Sequence, residues 1–200
     1  MHLILIRHAK HGEPAVPEEG NLTELGINQS EVTGDLLARE GVHRLFSSPY
    51  PRSMQTASII SRRIGIPVEV RVDLHNKVRL KERTPSRTEL MEMYPEAVFP
   101  ADMPENWLPV AEDGKGVYMR AAPEADYLRS LETTHERVAV VSHAFTLDVI
   151  ASILTGCPSA DNMRFWFDNC CLTLISVVGG VGRIHYLNLV GHLEIRGLFF

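Results

Sequence analysis

The sequence predicts an α/β fold: a three-layer sandwich with a mostly parallel central sheet, helices on both faces and a small inserted cap segment. Three observations carry that prediction. Leu3-Ile4-Leu5-Ile6 and Val138-Ala139-Val140-Val141 are short, continuous apolar runs, as expected of central strands buried on both faces of a parallel sheet. Helix-period patterns alternate with strand-like runs along the chain. Both apolar runs end in residues able to do chemistry, Arg7-His8 and Ser142-His143, and the carboxyl ends of parallel strands share the edge where ligands bind.

Taken in order, the first strand leads to a helix that begins near Thr23, a suitable N-cap, and ends near Gly41. Ile27, Val32, Leu36 and Leu37 are its candidate buried face. Arg44-Leu45-Phe46 reads as a short strand, and Ser47-Ser48-Pro49-Tyr50-Pro51 leads from it into a helix from about Pro51 to Ile64, stopped by Gly65. Arg52 falls on the first turn of that helix, where free backbone N–H groups and the helix dipole favour an anion and a guanidinium fork matches phosphate oxygens. Pro67 to Val72 then alternates like a strand.

The mostly polar stretch at about 76–106 holds Pro85, Pro95, Pro100 and Pro104. It is the expected cap insertion within a single domain spanning 1–200, with a short helix near Arg87 to Tyr94. A longer helix is expected from about Val117 to Thr134, and another from His143 to Leu154. Leu172–Val178 and Arg183–Leu189, around Gly179-Gly180-Val181-Gly182, read as a hairpin.

Composition bounds the function. A chain of 200 residues with 44% hydrophobic content can bury a substantial core. A net charge of −5 argues against nucleic-acid binding, so anion recognition has to be local. The apolar run before Arg7 is too short for a signal peptide or a membrane span. Cys157, Cys170 and Cys171 show no metal spacing, and an adjacent pair is a poor disulfide candidate, so reduced thiols and a cytoplasmic location are expected.

Four motifs in order resemble the histidine phosphatase superfamily, the group of phosphoglycerate mutase-like phosphatases. Arg7-His8-Ala9 is similar to the family's Arg-His-Gly, and Leu22-Thr23-Glu24-Leu25-Gly26-Ile27-Asn28-Gln29 to its Leu-Thr-x-x-Gly-x-x-Gln. Ser47-Ser48-Pro49 with Arg52, Gln55, Thr56 and Ala57 is similar to Ser-Ser-Pro-x-x-Arg-x-x-Gln-Thr-Ala, and Val141-Ser142-His143 to Val-Ser-His. The resemblance covers nearly the whole chain. It implies that His8 is a nucleophile forming a phosphohistidine, which divides one difficult displacement into two easier ones. It also implies that Arg7, Arg52 and His143 hold the phosphoryl oxygens, where catalysis comes mostly from positioning and charge stabilisation. Ala144, Lys10 and Asn76 are expected beside the substrate. The implied partner is a small phosphorylated substrate, with no cofactor; the oligomeric state is open, a homodimer being one option.

One family feature is absent. The family's acid, often in a Leu-His-Glu context, protonates the leaving oxygen, but here Leu74-His75 is followed by Asn76. An amide cannot serve as a general acid, a contribution of roughly 10²–10⁴-fold. Asp73, Glu82 and Glu89 are the local carboxylates, and Glu82 is the first choice as substitute.

Three functional readings follow. The first is a phosphatase for a small phosphorylated metabolite, the second a phosphoglycerate mutase-type phosphoryl transfer, and the third a phosphate-binding regulatory module with impaired catalysis. The mutase ranks below the phosphatase because this compact chain lacks the extra segments usual around glycolytic mutase sites.

Blander readings stand beside these. An isolated Arg7-His8 would be a surface pair, and only the four motifs together overturn that. Ser142 orients a loop or caps the following helix. The spacing of His8 and His11 suits a metal, with His75 and His143 as further ligands, but there is no His-Glu-x-x-His, so the metal reading is minor. Lys77, Arg79, Lys81 and Arg83 would share one face of an extended segment. With Arg87 and Lys10 they would attract a polyanion, although a solvated basic loop is the preferred reading. Trp107 and Tyr94 could stack against an aromatic substrate, but helix or cap packing is the preferred reading for each.

Overall fold

The computed structural model describes residues 1–12, 21–77, 84–107, 111–134, 137–157 and 163–199. Six strands form one sheet: β1 (His2–Arg7), β2 (Arg44–Ser47), β3 (Val68–Val70), β4 (Arg137–Ser142), β5 (Leu172–Val178) and β6 (Val181–Leu189). Their spatial order is β3-β2-β4-β1-β5-β6. The first four in that order are mutually parallel, and β5 and β6 add an antiparallel edge.

The helices are α1 (Glu24–Glu40), α2 (Pro51–Ile64), α3 (Arg87–Met93), α4 (Gly114–Ser130), α5 (Ala144–Leu154) and the short α6 (Gly191–Glu194). Side-chain alternation along β1 and β4 builds the three layers. Leu3, Leu5, Val138 and Val140 pack with Val117, Ala121, Leu128, Leu147 and Ile150 of α4 and α5 on one face. Ile4, Ile6, Ala139 and Val141 pack with Leu37, Met54, Ala57 and Ile60 of α1 and α2 on the other.

Local chemistry explains the boundaries. Thr23 caps α1 by accepting from Gly26 N–H, and the chain leaves the helix through Gly41 at φ 63°. Pro51 begins α2 and Gly65, at φ 72°, ends it. Ser86 and Glu89 form a capping box on α3, so the Glu89 carboxylate is committed to the Ser86 backbone N–H. The hairpin turn is the two-residue Gly179-Gly180, both at positive φ.

Two expectations are corrected, and one element was not anticipated. Ile27 is 44% exposed, and Val32 and Leu36 are only half-buried; the buried face of α1 is Gly26, Gln29, Ser30, Thr33, Gly34 and Leu37. This helix faces the Arg7-His8 loop and α2 at close range, which selects small residues over large apolar ones. Val181 and Gly182 belong to β6 rather than to the turn. The tail after β6 was not foreseen: Leu193, Leu198 and Phe199 pack with Ala9, Leu22 and Val32, and Gln29 Nε2 donates to the Leu198 carbonyl at 2.8 Å.

The α1 approach gives a prediction. A Cβ on Gly26 would collide with the backbone carbonyl of Lys10. Gly26→Ala is expected to cost about 1–3 kcal/mol of stability and to lower activity by moving the loop after His8, as measured by urea unfolding and kcat/KM. Unchanged stability would contradict this packing.

Candidate active site

Parallel pairing of β1 with β4 puts Arg7 opposite Ser142, and the next step along each strand delivers His8 and His143 to the same edge. His8 N–H donates to the Ser142 carbonyl at 2.9 Å, and Ser48 N–H, at the end of β2, donates to the Val141 carbonyl at 3.1 Å. The three chain segments of the site are thus tied through the backbone at the sheet edge. The His8 and His143 ring centroids lie 5.0 Å apart.

The His8 ring is held by both nitrogens. Nδ1 lies 2.9 Å from the Ala9 carbonyl oxygen, which can only accept, so Nδ1 carries the proton. Arg52 Nε donates to Nε2 at 3.3 Å, which therefore presents its lone pair. Burial first, then the Arg52 charge, pushes the His8 pKa well below its usual value, and His143 is lowered by the same two causes in the same order. Both rings are neutral near pH 7, as an imidazole nucleophile requires.

Surrounding groups fix these parts. Arg7 Nη1 donates to the Phe167 carbonyl at 2.8 Å, while Arg7 Nε is buried with no hydrogen-bond partner among the described residues. Arg52 stacks over the Tyr50 ring, 4.6 Å from its centroid. Tyr50 in turn meets His143 edge-on at 5.2 Å and Trp107 at 5.5 Å. Thr56 Oγ1 accepts from Ala9 N–H at 3.0 Å and donates to the Arg52 carbonyl at 2.8 Å, joining α2 to the loop after β1. Asn169 Nδ2 donates to the His8 carbonyl at 2.7 Å, and Cys170 N–H to the Arg7 carbonyl at 3.0 Å.

The structure therefore brings together Arg7, His8, Arg52 and His143. Ala144 opens α5 directly after His143. Lys10 has an exposed side chain, and its backbone N–H is held by Gln29 Oε1 at 2.9 Å. Asn76 is half-buried, its carbonyl bonded by His75 Nδ1 at 2.7 Å. Glu82 lies outside the described residues, as do Arg79, Lys81 and Arg83. Lys77 sits over the Phe145 ring at 5.1 Å, beside the start of α5. Ser142 does not cap α5; its hydroxyl donates to the Leu74 carbonyl at 2.6 Å, a bond across the sheet edge.

His11 lies against His8, with ring centroids 5.1 Å apart. Among the described residues, however, no group of three or more His, Cys, Asp and Glu side chains could hold a metal ion. Trp107 is buried, with Nε1 donating to the Pro85 carbonyl at 2.9 Å; it packs the cap, as expected. All three cysteines are free thiols, with Cys170 and Cys171 buried.

Sequence reasoning missed Glu112 and Arg120. Arg120 donates to both Glu112 oxygens, at 2.6 and 3.3 Å, and Nδ1 of His75 lies 3.9 Å from Glu112 Oε1. The eight-residue spacing of this pair spans the start of α4 and carries no standard periodic signal. Both Glu112 oxygens are engaged by the Arg120 guanidinium.

A family profile, histidine phosphatase superfamily (branch 1), matches residues 3–190. The chain belongs to that family. A relative from Hydrogenobacter thermophilus, named "Putative phosphoserine phosphatase 2", is 26% identical over 204 aligned positions that cover 95% of this chain and 96% of the relative. Among solved structures, the fold matches a mycobacterial glucosyl-3-phosphoglycerate phosphatase in complex with inorganic phosphate. The TM-score is 0.72 at 19% identity, covering 96% of this chain and 98% of that one. It also matches the alpha-ribazole phosphatase from Shigella flexneri, with a TM-score of 0.68 at 22% identity and the same coverage, 96% and 98%. Family and names together class the chain with the phosphoric monoester hydrolases. Among the described residues, no helix is long and apolar enough to cross a membrane.

The buried neutral histidines give a pH prediction. His8, His143, His75 and His192 all have folded pKa values below the unfolded value near 6.5, the last two at about 4. The unfolded chain binds protons first, so the stability these groups contribute is complete above about pH 6.5 and is lost as pH falls toward the folded values. The urea midpoint is expected to be level from about pH 8 to 7 and to fall between about pH 6.5 and 5, above the main carboxylate range. A level midpoint throughout would contradict it.

Proposed function

We propose that the protein hydrolyses the phosphate monoester of a small metabolite through a phosphohistidine at His8. The observation that carries this reading is the His8 ring itself: Nδ1–H is held by a carbonyl, and the Nε2 lone pair lies beside the Arg52 guanidinium. Nε2 attacks phosphorus as the bond to the leaving oxygen breaks, and that oxygen takes up a proton. Water then attacks the phosphohistidine, Nε2 leaves, and inorganic phosphate is released. Arg7, Arg52 and His143 hold the nonbridging oxygens through both steps, with Ala144, Lys10 and Asn76 lining the substrate side. Arg7 supports this role by keeping its buried Nε without a protein partner among the described residues. The three relatives described above are named for different small phosphorylated molecules, which supports that class and no single member of it.

His8→Ala is expected to abolish both turnover of p-nitrophenyl phosphate and the acid-labile phosphoenzyme. A folded His8→Ala protein with most of its activity would overturn the reading.

A second reading has its own observation. With Asn76 at the family's acid position and Glu112 tied to Arg120, the site suits phosphate binding better than cleavage of esters with poor leaving groups. For a phosphatase the same feature predicts steep leaving-group dependence: aryl and acyl phosphates turn over and alkyl phosphates lag. Asn76→Glu is expected to raise alkyl ester turnover selectively, by at least about 10²-fold if a working acid is restored. A level series over graded leaving groups, with Glu82→Gln as the damaging change, would assign the acid to Glu82. No turnover on any ester, with phosphate still bound, would favour the binding module.

A further inference from the structure

Resting on the phosphoryl-binding role assigned above to His143, we propose that Ser48 is a positioning residue. It fixes the His143 ring with the proton on Nδ1, so that a neutral imidazole offers a hydrogen-bond donor to the phosphoryl group.

The argument is one of hydrogen-bond counting. Ser48 Oγ lies 2.9 Å from His143 Nε2, and Ser53 Oγ lies 3.3 Å from the same atom. Both serines are fully buried and His143 is 1% exposed, so bulk water does not reach them. Ser48 Oγ already accepts from Tyr50 N–H at 3.3 Å, and its one proton needs an acceptor. Among the described residues, the acceptor in reach is Nε2. Nε2 has one lone pair, and Ser48, the nearer hydroxyl, is the donor to it; a proton on Nε2 would turn the Ser48 proton away and leave it unsatisfied, which typically costs about 1–3 kcal/mol.

With Nε2 accepting, a neutral ring carries its proton on Nδ1. That atom is buried and has no hydrogen-bond partner among the described residues. The opposite tautomer would present a lone pair at Nδ1, which repels a phosphoryl oxygen. The groups acting on the ring, namely Arg52, His8, His75 and Arg120, are cations or further imidazoles. They oppose a second proton on His143, so the donor has to be supplied by tautomer rather than by charge. Ser48 and Ser53 sit on the segment that carries Arg52, so one stretch of chain places a guanidinium and sets the ring that works with it.

The test reads the tautomer directly. In the resting wild-type protein with ¹⁵N-labelled histidine, long-range ¹H–¹⁵N correlation spectra are expected to show His143 protonated at Nδ1 and unprotonated at Nε2. An Nε2–H form overturns the proposal, whatever the turnover. Ser48→Ala is expected to give a mixed tautomer population, with kcat/KM for p-nitrophenyl phosphate lower by about tenfold and inhibition by inorganic phosphate weakened in parallel. A folded Ser48→Ala protein that keeps a pure Nδ1–H ring and unchanged kinetics also overturns it.

Should Ser48→Ala fail to fold, the amide pair decides. His143→Asn can place an N–H near the Nδ1 position and is expected to retain more kcat/KM than His143→Gln; the reverse order would sink the idea. Absence of any phosphatase turnover in the wild type would instead defeat the functional reading, while the spectrum would still report the tautomer.

Discussion

The parallel pairing of β1 with β4 is the constraint on which the rest depends. A one-residue slip would turn every side chain of β1 to the opposite face, moving Leu3 and Leu5 out of the α4–α5 core and Ile4 and Ile6 out of the α1–α2 core. It would also separate His8 from His143. Because both faces are buried, the packing energy of two hydrophobic layers locks the register, and the site inherits that precision. The chemistry sits on strand ends, with the loops serving to hold it there.

Around this frame the site is arranged so that few polar atoms are left to chance. Ala9 and Thr56 contribute no charge, yet they fix which nitrogen of His8 is basic and how α2 meets the loop after β1. Burial first, and then the Arg52 guanidinium, hold the His8 and His143 imidazoles below their usual pKa.

Much of this was legible in the chain. Continuous apolar runs at 3–6 and 138–141 announced central strands, and glycines at 41 and 65 marked the helix ends, because these are local signals of fixed period or fixed backbone angle. The residues that converge, Arg7, His8, Arg52 and His143, were readable because each ends or follows a strand or opens a helix, and because the four motifs that hold them occur in order. The contents of the α1 face were not. Gly26 and Gly34 are buried because another backbone or side chain comes close, and apolar periodicity says nothing about such approaches. Asn169 escaped for a related reason, since its partner His8 lies far away in sequence and only the folded chain juxtaposes them; the Glu112–Arg120 pair escaped because an eight-residue spacing across the start of α4 has no periodic signal.

The central position of β1 has a consequence for how the chain reaches this state. It is the first strand made, yet its neighbours are β4, where Arg137 pairs with His2, and β5, where Leu172 pairs with Ile6. Asn169 and Phe167 then grip the loop and Arg7 from the far end of the chain. During synthesis the most apolar segment therefore waits, unpaired, until most of the polypeptide has emerged. Non-local closure of this kind makes folding slow and leaves a sticky strand exposed to aggregation. The assembly that makes the histidine pair precise thus leaves β1 without its sheet neighbours until β4 and β5 have been made.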